Sequence, residues 1–208
     1  QAARELEMKI LITGVTGMVG SHLAEYVLAE HRDVEIHCLL RWRSPKDNIR
    51  PILNRLNLEV QGSLGYFGCG LIDGPNILVR GRVGWSCAEN MMAGTVVIEK
   101  NAGSTFGAAI RGGDLVCKGD VGARVGIDMK GGTIIVGGRA GAFCGFMMQR
   151  GRMVILGDAG INLGDSMYDG TIYVGGKIAS LGVDAVESEM TDLDAQWLER
   201  KLGMYGLA

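Results

Sequence analysis

The residues best equipped for chemistry stand near the start of the chain, in Thr13-Gly14-Val15-Thr16-Gly17-Met18-Val19-Gly20. A T-G-x-x-G-x-x-G run between an apolar strand and a helix is a dinucleotide-binding fingerprint. Its glycines allow a tight turn and close backbone approach, and the helix N-terminus attracts a pyrophosphate. Gly14, Gly17 and Gly20 are therefore candidate cofactor-binding residues. A second apolar stretch, Glu35 to Leu40, ends in Arg41-Trp42-Arg43, where an NAD site would place an acid for the ribose. Arg41 and Arg43 suit a 2′-phosphate instead, so NADP is the cofactor this unit would take.

Other reactive side chains are sparse. His22, His31 and His37 all precede residue 38, so the remaining sequence has no imidazole to offer as base or ligand. Cys38, Cys69, Cys87, Cys117 and Cys144 form no C-x-x-C pair, which favours reduced, partly buried thiols over a metal or iron–sulfur site. Asp114, Asp120, Asp128, Asp158, Asp165 and Asp169 stand beside glycines, where carboxylates cap backbone amides. No catalytic residue and no metal ligand is expected.

The elements that must position these groups are of two kinds. Residues 8–57 read as strand, glycine turn, helix, strand, a Rossmann-like βαβ unit. From Leu58 the pattern returns at every nineteenth position. Gly65, Gly84, Gly103, Gly122, Gly141 and Gly160 form one ladder, and Gly94, Gly113, Gly132, Gly151 and Gly170 another. Apolar residues keep the same step, as in Leu58, Ile77, Val96, Leu115, Ile134, Met153 and Ile172. A fixed period of this length marks a solenoid, and so short a glycine-rich repeat cannot hold two packed helices. The fold class expected is mainly β: a right-handed parallel β-helix of about seven coils. Coils stacked at the inter-strand spacing would span roughly 30 Å. Gly supplies positive φ at a corner or lets adjacent backbones approach, and Met91, Ile110, Met129, Met148 and Met167 form a core file.

After the last coil, residues 191–208 turn helical. Thr191 with Asp194 makes a capping box, Leu193, Trp197, Leu198 and Leu202 share one face, and Gly203 suits the stop. Such a helix is fitted to cover the open end of the solenoid. The expected domains are 1–57, 58–190 and 191–208, with the first docked directly on the first coil. Net charge −2 excludes a polybasic nucleic-acid surface, and no apolar run is long enough to span a bilayer. Gln1 to Glu7 reads as a charged leader and not a signal peptide, so a cytoplasmic location is expected.

Residues 8–57, through the turn and Arg41-Trp42-Arg43-Ser44-Pro45-Lys46-Asp47-Asn48, resemble the opening of an extended short-chain dehydrogenase of the GDP-mannose 4,6-dehydratase and sugar-nucleotide epimerase group. That resemblance implies a catalytic Tyr-x-x-x-Lys. Tyr173 and Lys177 have the spacing but fall within the repeats, with two glycines between them. The repeats, through Gly84 to Met92, Gly126 to Gly132 and Leu156 to Gly170, resemble the GXGXG β-helix of the glutamate synthase large subunit and its stand-alone relatives, among them the β-helical chain of N-methylglutamate synthase. The resemblance implies a β-helix without flavin, cluster or nucleophile. It would hold a glutamine-amidotransferase-like subunit against an FMN-containing glutamate-synthase-like subunit, within an oxidoreductase or amine-transferring complex. The function implied is thus a non-catalytic scaffold. The alternatives are an NADP-binding dehydrogenase member or fragment, and a natural or engineered fusion of two pieces.

Overall fold

The computed structural model describes residues 8–31, 33–40 and 47–208. Nine parallel strands form one sheet in sequence order. They are β1 (Met8–Thr13), β2 (Val34–Leu40), β3 (Asn57–Val60), β4 (Asp73–Val79), β5 (Ala93–Ile98), β6 (Asp114–Cys117), β7 (Thr133–Val136), β8 (Arg152–Ile155) and β9 (Thr171–Val174). Helix α1 (Met18–Glu30) joins β1 to β2, a 3-10 helix (Asp47–Arg55) precedes β3, and α2 (Asp192–Met204) follows β9.

From β3 onward the repeat becomes register. Leu58 pairs with Ile77, Ile77 with Val96, and so on to Met153 with Ile172, every partner lying one repeat further along the chain. A second parallel file runs Leu64, Val83, Ala102, Val121, Ala140, Ala159 and Ile178 on another side of each coil. The fold is therefore a parallel β-solenoid, as the periodicity requires. Its interior is a column of apolar side chains, and Met91, Ile110, Met129 and Met148 are all fully buried within it.

The glycine ladders are explained by two different constraints. Gly132 sits at φ +78°, and a Cβ there would also stand 2.8 Å from the Gly113 carbonyl oxygen. Gly160 has no such φ, but its Cβ would stand 2.6 Å from the Gly141 carbonyl carbon of the coil before. The first file needs glycine for conformation and space, the second for space alone. A third side of each coil reaches left-handed φ at residues other than glycine too, as at Ser86, Ala88 and Asn90, at +55° to +57°, with Gly107, Gly126, Gly145 and Gly164 taking the middle place in later coils.

The N-terminal unit continues the same sheet. β1 pairs with β2 and β2 with β3, so Ile12, Cys38 and Leu58 extend the inner file of the coils. Ala24, Val27 and Leu28 of α1 cover this extension together with Ile49 and Ile52 of the 3-10 helix, and Ile77 packs against both cores. Docking of the unit directly on the first coil is achieved by sheet continuation. The joint is loosely filled: a mostly apolar cavity of about 560 Å³ lies between Leu53, Leu58, Val60, Leu64 and Phe67. It arises because Gly68 stands where later coils place Cys87, Phe106, Val125 and Cys144, which are all fully buried.

Helix α2 departs from expectation in position. It does not cover the open end; Trp197, Leu198, Leu202, Tyr205 and Leu207 lie across the outer face of the sheet on Val116, Ile135 and Val154. All four residues of β7 are buried, so Ile134-Ile135-Val136 is a run covered on both faces, not an alternation with one solvated side. The capping box is present: the Thr191 hydroxyl accepts from the Asp194 amide at 3.2 Å, and the Asp194 carboxylate accepts from the Thr191 amide at 3.0 Å. Gly203 lies inside the helix. The stop is Gly206 at φ +66°, with Leu207 N–H donating to the Leu202 carbonyl (3.0 Å) and Gly206 N–H to that of Gly203 (3.3 Å), a Schellman motif.

Candidate functional site

The glycine turn has the geometry its sequence demands. Gly14 directly follows β1 at φ +70°, and the Gly17 amide donates to its carbonyl oxygen at 2.9 Å. A Cβ on Gly20 would lie 2.4 Å from that same oxygen, so glycine there lets α1 cross close over the turn. Gly17 is the N-cap of α1, with no side-chain cap and no acidic residue in the first turn. Asn48 of the 3-10 helix donates to the Thr16 carbonyl (3.0 Å) and braces the turn. The structure thus brings Gly14, Gly17 and Gly20 together at an uncapped helix N-terminus, a fit for a pyrophosphate. Arg41 and Arg43 lie outside the described residues.

The remainder of a dinucleotide site is built differently here. In a doubly wound sheet the ligand spans the crevice where strand order reverses beside the first strand. Among the described residues β1 pairs only with β2, and its outward Leu11 is 60% exposed. On the other side, the place beside β2 that a third strand of such a sheet would fill is taken by β3, the first strand of the solenoid.

The carboxylates of the coils serve mostly as expected. Asp120 accepts from the Arg139 amide and Asp158 from the Lys177 amide, both at 2.8 Å and both one coil on, and Asp165 accepts from the Val183 amide at 3.1 Å. Asn101 and Ser63 do the same at their places in the file. Asp169 caps the adjacent Gly170 amide, while Asp128 pairs with Lys130. Asp114 has a role the sequence concealed: it points outward from β6 to accept from Lys201 Nζ (2.6 Å) and the Tyr205 hydroxyl (2.6 Å) of the helix segment. Its partners lie 87 and 91 residues away, off the repeat. The one available signal was chemical, since Asp114 is the only acid in an outward file of Asn76, Thr95, Thr133, Arg152 and Thr171.

Tyr173 and Lys177 are not brought together as an acid–base pair. The Tyr173 hydroxyl donates to Asp194 (2.7 Å) and its ring stacks on Trp197 at 5.6 Å, with Arg152 over the Trp197 ring at 4.5 Å. Burial and the Asp194 carboxylate push this phenol above its ordinary range, opposite to what a proton-abstracting tyrosine needs. The thiols are likewise quiet. Burial pushes Cys38, Cys117 and Cys144 up to about 11, and Cys87 is raised by its hydrogen bond with Cys69 and by burial. Among the described residues no group of three or more His, Cys, Asp or Glu could hold a metal ion, and no helix is long and apolar enough to cross a membrane.

Two family models match the chain, over spans that overlap. An NAD-binding family model described as male sterility protein matches residues 12–61, from β1 through β3. Protein GlxC of Rhizobium meliloti (strain 1021) is 49% identical over 41 residues, 20% of this chain and 18% of that protein. The hybrid PKS-NRPS synthetase fsa1 of Fusarium sp. (strain FN080326) is 30% identical over 70 residues, 34% of this chain and 2% of that protein. The chain thus spans less than a fifth of either relative's length. The GXGXG motif family model matches residues 51–201, from the 3-10 helix through every coil into α2. Matched over that span, with glycine files that its stacked backbones require, the chain belongs to the GXGXG motif family.

Proposed function

We propose that the chain is a non-catalytic scaffold subunit of a glutamate-synthase-like complex, holding an amidotransferase-like part and an FMN-containing synthase-like part in fixed relation. One observation carries this reading: the coils from Val79 to Ile155 are filled by buried apolar side chains, so the solenoid is a stiff body that offers partners only its outer faces and ends. Family membership and the likeness to GlxC support it. The working division is 1–57, 58–190 and 191–208, and the whole is a soluble cytoplasmic assembly. Co-expression with a glutamine-amidotransferase and an FMN-containing synthase subunit tests it. The expected result is a stoichiometric complex with glutamine-dependent amine transfer that is lost when this chain is omitted; full transfer without it overturns the reading.

A nucleotide site at the N-terminal turn is a second reading, favoured by the geometry of Gly14, Gly17 and Gly20 and by the NAD-binding match. NADPH binds there through its pyrophosphate, with Arg41 and Arg43 on the 2′-phosphate. Titration with NADPH and NADH by fluorescence tests it: preference for NADPH, removed by Arg41→Ala with Arg43→Ala, is expected, and absence of binding by either overturns it.

A further inference from the structure

The last coil ends differently from those beneath it. Ile172, Val174, Ile178 and Met167 are only partly buried, whereas the residues one coil earlier in the same files, Met153, Ile155, Ala159 and Met148, are 0–3% exposed. The segment 184–190 passes over this end without filling it, leaving a cavity of about 530 Å³. Val186, Met190 and Tyr168 stand 62–87% exposed around it. Helix α2 is held away from this end, on the outer face of the sheet, by Trp197 and the Asp114–Lys201 pair.

Charge is distributed unevenly along the chain. Residues 157–194 carry eight carboxylates and one lysine, although the chain as a whole is only −2. The remainder of the molecule is therefore net positive, and Asp169, Asp184, Glu187 and Glu189 line the cavity at this end. A bowl with Ile172, Val174 and Ile178 on its floor and a polar, acidic rim disfavours an anionic surface and matches a segment with an apolar stripe flanked by Lys and Arg.

We propose that the uncovered end of the seventh coil is a docking surface for a cationic amphipathic segment of a partner protein, whose apolar side chains complete the column over Ile172, Val174 and Ile178. The assignment deepens the scaffold reading by naming one of its contact surfaces. Its test uses no synthase component, so failure of either idea is visible without the other.

The probe is a fluorescein-labelled helical peptide of Leu and Lys, with a Leu and Glu peptide of the same pattern as control, titrated against the full chain by anisotropy. Binding of the Lys peptide alone is expected, weakening about tenfold or more between low and moderate salt because the rim is solvated. The Asp184→Lys, Glu187→Lys, Glu189→Lys triple variant, at exposed positions, loses about tenfold or more in affinity while its melting temperature stays within a few degrees of the parent. Val186→Asp weakens binding with the rim charges in place. Glu30→Lys with Asp47→Lys, on elements of the N-terminal unit, leaves binding unchanged. Equal binding by the rim variants, equal binding of the Glu peptide, or no binding at all overturns the proposal. So does self-association of the parent in sedimentation that the triple variant abolishes, which would make a second copy the occupant.

Discussion

Residues 8–56 and the coils from residue 57 onward share one parallel sheet and an unbroken inner file, yet they fill the space behind it in opposite ways. In the first, α1 and the 3-10 helix lay their own apolar faces on two strands. In the second, the chain returns to the same slots once per repeat and each coil is packed by its neighbours. The contrast teaches that a parallel ladder is indifferent to what closes the layer above it, provided strand spacing and register are kept. It also says where each region is vulnerable: the coils to any atom between backbones, the N-terminal unit to its packing at the joint.

The sharpest way to break the comparison is a glycine in each half. Gly132→Val adds bulk at φ +78° within 2.8 Å of the Gly113 carbonyl oxygen, two penalties that backbone cannot relieve. It is expected to cost about 4 kcal/mol or more and leave the chain largely unfolded, read by urea titration with circular dichroism. Gly17→Ala places its Cβ 3.3 Å from the Gly14 carbonyl oxygen and needs no positive φ. About 1 kcal/mol or less is expected. Parent-like stability of the Gly132 variant would remove the stacking account of the ladders.

Next in size is the outer cover. Trp197→Ala removes the stack on Tyr173, the Arg152 contact and part of the roof over Val116, Ile135 and Val154. A loss of about 3 kcal/mol is expected, with trypsin cleavage at Arg200 and Lys201 accelerated and hydrogen exchange in α1 unchanged. Exchange that rises equally in both regions would mean they open as one unit.

A smaller, opposite effect belongs to the joint. Leu53→Phe adds volume to the cavity between the 3-10 helix and the first coil and should stabilise by about 1 kcal/mol, seen as a higher melting temperature. Destabilisation would show that the space is already filled in solution.

The pH dependence of α2 is the finest probe. Hydrogen bonds from Thr191 and Tyr173 lower Asp194 to about 2, so the stability it contributes is present above its unfolded value near 4 and is lost as pH falls through about 2. Tyr205 is raised above its ordinary value near 10 by burial and by Asp114, so its contribution is complete below about 10 and is lost as pH climbs beyond that. Detachment of α2, followed by Trp197 fluorescence, should therefore appear at both extremes. Tyr205→Phe removes the alkaline limb contributed by this hydroxyl and costs about 1–2 kcal/mol at neutral pH, because Asp114 keeps Lys201 but loses one donor.

Legibility followed sequence distance. Leu58, Ile77 and Val96 recur at a fixed step, so their pairing is readable from the chain alone, as are the glycine turn at Gly14 and the capping box at Thr191. Arg41 and Arg43, proposed for a 2′-phosphate, lie outside the described residues, so that assignment comes from the sequence pattern. Gly203 reads as the helix stop because it follows the last apolar residue of the stripe; Gly206 takes that place in the fold because Leu207 can then reach back to Leu202.

By itself, then, the sequence determined the coil: one slot revisited at every nineteenth position leaves glycine where backbones touch and Val, Ile or Met where side chains stack. Only the tertiary structure decided that β2 pairs with β3 to make one sheet, that α2 covers the outer face, and that Asp114 anchors Lys201 and Tyr205. The reason is physical. Repeated contacts imprint a period on the chain, whereas a contact made once, between segments as distant as Asp114 and Tyr205, asks only for complementary chemistry at two places and leaves no period to read.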